Sequence, residues 1–578
     1  MKKEWLLNRK GFSVVEAVVA TAIFSIIVAS IMTSIFSTNR IVFFSGEKSR
    51  ATFLAEEGLE ATKSIRDKDF ENLIDGTYGL DTQGGEWIFS GSQDIQDIFT
   101  RSITISSLNE NTKKVQSTIQ WTQDSEEKIV TLESRLTNWK ISKMQTNRGM
   151  LVFGDGGTTS DSIKYRMYEE ESGTWGSVAS LADIDQTTTN KALRTARVYA
   201  SEDRDEYIAI SRHFNGTQQS IYAQVYNGSS WGNVQLLSSW NANTFLYAQN
   251  YDGVYLSNGD FVVIYSDFTN TPKFRVWNGT SWGVQVSMKT ASTYPNFVVA
   301  KARPETKEIM VAFTGQNRRV FTQYFNGGSY TTTSWTYLQH TTSGVANTVR
   351  LADFSWSPEN TSVGAMVYSE GTTRYISVKV FTANGSGGGA WSSRVNSPTQ
   401  SNSSMNVMIQ GREGANQFMT CYKDNKNPQQ FLCFEVNSFT PTIATPTNNI
   451  ITTTAVSATG VFGLDFNYAP NGLSGVVVYS DNTAIPKMRT YNPSSHIFSS
   501  AISLPSLGNT VYTNKIIVNP DSEEAMFLFG GSNRSLYSIA FDSVSGTVYT
   551  TPAGKALNTQ GTNGSANTDQ WYDFVWKK

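Results

Sequence analysis

Between residues 148 and 578 one pattern returns at a nearly fixed interval, and self-similarity of this kind constrains architecture more than composition does. An aromatic residue, an Asn-Gly turn and a tryptophan stand together at Tyr226-Asn227-Gly228 with Trp231, at Trp277-Asn278-Gly279 with Trp282, and at Phe325-Asn326-Gly327 with Trp335. Looser copies follow at Phe381, Phe434, Tyr491 and Phe541, and an opening copy has Tyr168 with Trp175. These eight aromatic positions lie 48 to 58 residues apart. A four-stranded propeller blade occupies about 40–50 residues.

Two strand families precede these marks. The first, at 150–153, 207–211, 261–265, 309–313, 365–368, 418–422, 476–479 and 525–529, is almost continuously apolar, as strands buried on both faces are. The second lies around Arg197, Val254, Val298, Leu351, Val407, Leu464 and Ile517, and has no member ahead of residue 150. The carboxyl terminus supplies the missing strand: residues 566–576 match residues 346–356 at six of eleven positions. These relationships predict an all-β eight-bladed β-propeller over residues 148–578, with seven blades as the fallback, closed by the C-terminal strand so that no sheet edge is left open.

The first forty residues obey other rules. A short basic leader with Lys2, Lys3, Arg9 and Lys10 ends at Gly11, and Phe12 opens an apolar run of 25 residues to Phe36 without proline or glycine. That length spans a bilayer, and the basic leader holds the amino terminus in the cytoplasm. The run contains one charge, Glu16. A carboxylate at the centre of a membrane helix costs ~2.5–3.5 kcal/mol, less near the interface, so Glu16 calls for a partner. Helical spacing continues through Leu54, Ala55 and Leu59 to Ile65, and no proline occurs before Pro272, which predicts a straight helix over 12–65.

The residues Lys10-Gly11-Phe12-Ser13-Val14-Val15-Glu16 resemble the processing site of type IV pilins and secretion pseudopilins. The resemblance implies cleavage by a prepilin peptidase between Gly11 and Phe12, N-methylation of Phe12, and a role for Glu16 in methylation and in docking onto the free amine of a neighbouring subunit. A secretory signal would instead place a small-residue cleavage site after the apolar core. Alternation at 103–107, 115–121 and 129–136 predicts a three-stranded antiparallel sheet on the rear of the helix. The N-terminal module is then α+β and pilin-like: leader 1–11, helix 12–65 with 12–36 in the membrane, and β head 66–142. Leu54-Ala55-Glu56-Glu57-Gly58 and Leu136-Thr137-Asn138-Trp139 share the resemblance more loosely.

Net charge is −2, which gives no reason to expect nucleic acid as a partner. Two patterns in the repeats carry possible chemistry. The Asn-Gly turns with tryptophan are reminiscent of sugar-binding repeats in propeller lectins, yet Asn-Gly is also the preferred tight hairpin turn and tryptophan fills the outer gap between blades. After the buried strands stand Tyr265-Ser266-Asp267, Tyr368-Ser369-Glu370, Tyr422-Lys423-Asp424 and Tyr479-Ser480-Asp481, with Asp155 equivalent in the first unit. On one face of a propeller they would bind a glycan or surface polymer by stacking and paired hydrogen bonds. As acid–base pairs across hairpins they would be worth ~0.2–1 kcal/mol each.

His213, His340 and His496 stand in different repeats without ligand spacing, and no nucleophile elbow, phosphate loop or zinc signature occurs. No cofactor or metal is expected. A glycosidase needs only two carboxylates and could stand among the acidic loops. Cys421 and Cys433 flank a hairpin; in an exported domain they form a cross-strand disulfide or remain two buried thiols.

The resemblance and the repeat together lead to one expectation: a minor pilin or pseudopilin-like subunit, held by one pass in the inner membrane before assembly into a pilus or related filament. It would then display an adhesin or binding propeller at the cell surface. Its partners are other pilin subunits, the prepilin peptidase, and a surface glycan or polymer. The alternatives are an exported, pilin-anchored propeller glycosidase or lectin, and a purely structural filament cap.

Overall fold

The computed structural model describes residues 13–577 apart from 110–111, 124, 138–147, 155–162, 185–191, 242–248, 317–318, 342–348, 370–374, 399–403, 425, 439–440, 456–462, 523, 533–534, 543–554 and 559–570. Gly11, Phe12, Asp155 and Glu370 lie outside the described residues. The chain divides into two compact units, Met1–Met144 and Gln145–Lys578.

The first unit is built on one helix, Val14–Lys68. Ser13 caps it: its hydroxyl accepts from Val15 N–H at 3.2 Å while the Glu16 carboxylate accepts from Ser13 N–H at 3.0 Å. This reciprocal pair satisfies donors that a helix start leaves without intrahelical partners. Arg66 and Lys68 in the last turn favour the negative end of the dipole. With no proline to break it, the helix runs 55 residues, about 80 Å at 1.5 Å per residue. Its stretch Val14–Phe36 has a mean hydropathy of 2.4 and buries nothing within the protein.

From Ala51 onward the helix packs on a sheet. The three expected strands are present and longer than alternation alone suggested, at Phe99–Asn109, Thr112–Gln123 and Glu126–Thr137. The expectation of a three-stranded sheet is corrected to six strands, because Gly76–Gln83, Glu86–Ser90 and Asp94–Gln96 join it. Gly76–Gln83 is rich in glycine and polar residues and buries only two of its eight, so it carries almost no alternation. Its hairpin turn, Gly84-Gly85, has both φ angles positive, as a tight turn of mirror-image type requires.

Two residues fix the helix on this sheet. At Gly58 a Cβ would fall 2.4 Å from Ser117 Oγ and 2.8 Å from Ile103, so only glycine permits this closeness. Arg101, 2% exposed, pairs with Glu57 of the helix and Asp94 of the edge strand at 2.9 Å each and also donates to Leu54 O. A buried guanidinium is tolerated because its donors find acceptors on both sides.

The second unit is a β-propeller: the described residues form eight antiparallel sheets of four or five strands. The sheets are numbered here by their second strands: Arg148–Gly154, Tyr207–Phe214, Phe261–Tyr265, Glu308–Gly315, Val363–Ser369, Gln417–Asp424, Gly475–Tyr479 and Glu524–Gly531. These are the apolar strands of the sequence, buried because apolar side chains of adjacent sheets pack between them. Ile208, Ile210 and Ile221 of the second sheet meet Tyr251, Phe261 and Val263 of the third. Met526 and Leu528 of the eighth meet Leu151, Phe153 and Phe574 of the first.

Tyr572–Trp576 supplies the innermost strand of the first sheet, antiparallel to Arg148–Gly154 with Phe574 opposite Leu151. The first sheet therefore joins strands from both ends of this unit. In the sixth sheet Cys421 and Cys433 are directly opposed and joined by a disulfide, with Cα atoms 4.1 Å apart.

Candidate functional site: the central cavity and its charged seams

The innermost strands alternate in length. Those of the odd sheets, Tyr251–Tyr255, Ala352–Trp356, Leu464–Tyr468 and Tyr572–Trp576, have five residues each. Those of the even sheets, Ala192–Ala200, Pro295–Ala302, Ser404–Gly411 and Val511–Val518, have eight or nine. Every odd strand has aspartate at its second position: Asp252, Asp353, Asp465 and Asp573.

Each aspartate does the same work. One carboxylate oxygen accepts the N–H of the residue that follows it, Gly253, Phe354, Phe466 or Phe574, at 2.9–3.0 Å. The other accepts a backbone N–H from the next even sheet: Ala300 at 2.9 Å, Ile409 at 3.0 Å, Ile516 at 2.8 Å and Val198 at 3.1 Å. The odd-to-even junctions are thus stitched by charge-assisted bonds close to the axis.

The even-to-odd junctions use a different device. Arg204 donates to Gly259 O at 2.7 Å, Arg303 to Thr361 O at 2.7 Å and Arg412 to Gly472 O at 2.7 Å, each from an even sheet to the turn of the following odd one. Arg204 pairs with Glu206 at 2.8 Å, and Arg303 pairs with Glu308. The junction from the eighth sheet to the first departs from this, because Asn519 stands where an arginine would. Asn519 and Ser522 donate to Glu170, and Tyr168 Oη donates to Glu524 at 2.6 Å. Burial pushes the Glu524 carboxyl up to about 7; Glu170 adds to this and the Tyr168 bond opposes it.

Inner strands from all eight sheets line a cavity of about 510 Å³, within the range of small-ligand sites, about 300–1,000 Å³. The four aspartates and four cations, Arg197, Lys301, Arg350 and Lys515, line it. Lys515 pairs with Asp573, Arg197 approaches Asp573 at 3.9 Å, and Arg350 reaches Asp353 at 3.6 Å. Tyr199 donates to Asp252 at 2.6 Å. Burial raises the Asp465 carboxyl to about 6, against the Ile516 N–H, Lys515 and Arg350, which all favour its charged form. Burial also pushes the Lys515 ammonium well below its ordinary range, and Arg197 adds to this.

The residues singled out in the sequence stand elsewhere. Tyr265, Tyr368, Tyr422 and Tyr479 are at most 2% exposed, so the stacking platform expected of them is corrected to core packing. Their side chains point between sheets because the strand preceding each turn is buried on both faces. Asp267 accepts from Thr269 N–H at 3.1 Å within its own turn, and Asp424 accepts from Lys426 N–H at 3.1 Å. Asp481 pairs with Lys487. The Asn-Gly turns are likewise structural: Asn227 and Asn278 accept backbone N–H bonds from their own turns at 2.8–3.1 Å. Trp231 packs on Tyr226, Trp282 on Trp277 and Trp335 on Phe325, with ring centroids 5.1–5.5 Å apart.

His213, His340 and His496 bond separately, to Ser211, Thr322 and Glu435. Among the described residues no cluster of three metal-ligating side chains occurs. The aspartates of the inner strands were missed in the sequence. Their signal was Asp followed by Gly or Phe at every second repeat, visible already in the shared Asp353-Phe354 and Asp573-Phe574.

No protein-family model matches the chain, and no curated protein matches it. Among solved structures it is similar to the BP39L lectin from Burkholderia pseudomallei at 10% identity, covering 63% of this chain and 100% of the lectin, with a TM-score of 0.42. It is similar to the periplasmic gluconolactonase PpgL of Pseudomonas aeruginosa at 12% identity, covering 75% and 99%, with a TM-score of 0.39. Prolyl oligopeptidase B from Galerina marginata matches at 13% identity over 64% of this chain and 52% of its own, with a TM-score of 0.38. Similarity this loose assigns no activity.

Proposed function

We propose that this chain is a membrane-tethered subunit of the pilin type that carries an eight-bladed propeller beyond the cytoplasmic membrane, where the propeller binds a small polar ligand of the saccharide class. The observation that carries the binding reading is the polar central cavity of about 510 Å³, lined from every sheet. It has the size and the convergent polar groups of a ligand site. The tether reading rests on the bare apolar helix Val14–Phe36 and on Lys10-Gly11-Phe12 with Glu16 before and within it. Processing between Gly11 and Phe12, methylation of Phe12 and pairing of Glu16 with a neighbour's amine belong to the same proposal, as do the filament and the cell surface as destinations.

An exported glycosidase is the second reading, and one observation favours it. The Asp465 carboxyl, raised to about 6, shares a cavity with three other aspartates. A carboxyl group with a raised pKa beside a second carboxyl group is what glycoside hydrolysis needs.

The full-length chain in detergent micelles separates the readings on a glycan array and with chromogenic glycosides. Retention of glycans without turnover is the expected result. Turnover abolished by Asp465→Asn would replace the binding module with an enzyme, and neither binding nor turnover would leave a filament cap.

A further inference from the structure

Hydrogen-bonding capacity in the central cavity is unevenly used. Its aspartate acceptors are occupied: both oxygens of Asp252, Asp353, Asp465 and Asp573 hold backbone N–H groups. Its donors are not. Arg197 uses one terminal nitrogen on Gln249 at 2.9 Å, its Nε is buried without a partner, and its approach to Asp573 is only 3.9 Å. Among the described residues no hydrogen bond or ion pair reaches the exposed ammonium of Lys301, which lines the same cavity. Arg197 and Lys301 lie close enough to Lys515 to disfavour its charge, which Asp465 and Asp252 favour.

Spare donors on two cationic side chains around one space suit an acceptor-rich, negatively charged occupant. A carboxylate suits a guanidinium fork and an ammonium together. A neutral sugar would leave the Lys301 charge unpaired.

We propose that the central cavity binds a carboxylate ligand, free or carried on an acidic sugar, and that Lys301 is the residue that selects it. This rests on the binding reading above and names its ligand class. The sheets supply the scaffold: Asp252 holds Ala300 beside Lys301, so the third sheet positions the recognising residue of the fourth.

Calorimetric titration of the full-length chain in detergent micelles with glucuronate, glucose, acetate and inorganic phosphate tests the assignment. Glucuronate is expected to bind at least tenfold tighter than glucose. Lys301→Met removes that preference and Lys301→Arg retains it. Acetate matching glucuronate supports a free carboxylate as ligand; acetate weaker than glucuronate supports an acidic sugar. Equal binding of glucose and glucuronate, a preference that survives Lys301→Met, or phosphate binding tighter than both carboxylates overturns the carboxylate assignment and leaves the binding module standing. Binding of none of the four overturns the assignment, and an empty glycan array would then remove the binding module as well.

Discussion

Asp252 in the third sheet accepts the backbone N–H of Ala300 in the fourth at 2.9 Å. The same bond recurs from Asp353, Asp465 and Asp573 to the sheets that follow them. Successive aspartates are 101, 112 and 108 residues apart, so the working repeat is a pair of sheets. Within a pair the aspartate joins the two inner strands. Between pairs an arginine joins the turns, except where the eighth sheet meets the first.

Removing one of these aspartates leaves buried donors without acceptors. Asp353→Ala orphans the N–H groups of Phe354 and Ile409 and strips Arg350 of its ion pair. The expected loss is about 3–5 kcal/mol in denaturant unfolding of the full chain. Asp353→Asn loses less, because the amide oxygen still accepts one of the two. Asp267→Ala, which removes only the two bonds that Thr269 donates within a partly exposed turn, changes stability by less than about 1 kcal/mol. Equal effects at Asp353 and Asp267 would contradict the stitching role.

The junction between the eighth and first sheets weakens as pH rises. Glu524 is raised from 4.5 to about 7, so its protonated form belongs to the folded state. Its contribution is therefore complete below about pH 4.5 and disappears as pH climbs through 7. It faces Tyr168 and Glu170 of the first sheet, with Asn519 and Ser522 of its own sheet bonded to Glu170. With partial solvent screening the change is on the order of 1–2 kcal/mol. Glu524→Gln should flatten the melting temperature between pH 5 and 8; an unaltered slope removes Glu524 as its origin.

In the first unit Arg101 links the helix to the sheet through Glu57 and Asp94. Arg101→Met leaves the largely buried Asp94 without its cation, and the expected cost is about 3 kcal/mol. Amide exchange should accelerate in helix residues 51–65 and in Phe99–Asn109 while the propeller strands stay protected. Exchange rates unchanged in those segments would mean that apolar packing alone holds the helix.

The disulfide between Cys421 and Cys433 closes a short loop, with a sequence separation of 12. Loop-closure entropy for that length gives about 3 kcal/mol. Replacing both cysteines by alanine should lower the melting temperature of the full chain, and peptide mapping without reductant should recover one linked pair. Two free thiols in the native protein would contradict this.

Much of this arrangement was legible in the residues. The helix announces itself by length, by apolar content and by the lack of proline; the repeated sheets announce themselves through strands that are apolar on both faces. The match of residues 566–576 to 346–356 pointed to the strand that pairs with Arg148–Gly154. Three things were hidden. Gly76–Gln83 has no alternation because only two adjacent residues of its eight are buried. The tyrosines before the turns looked like a binding face because sequence spacing places them beside loops, whereas their strands are buried on both faces and their rings pack between sheets. The inner aspartates stood apart from the aromatic marks that set the period. A count of single repeats hid their recurrence at every second one.

The central claim is that a pilin-type tether delivers the propeller outside the cytoplasmic membrane. Mass spectrometry of the native protein's amino terminus tests it most directly. The account predicts a chain that begins at Phe12 with one added methyl group. A chain that retains Met1 and the leader through Gly11 while the assembly machinery is active would contradict it.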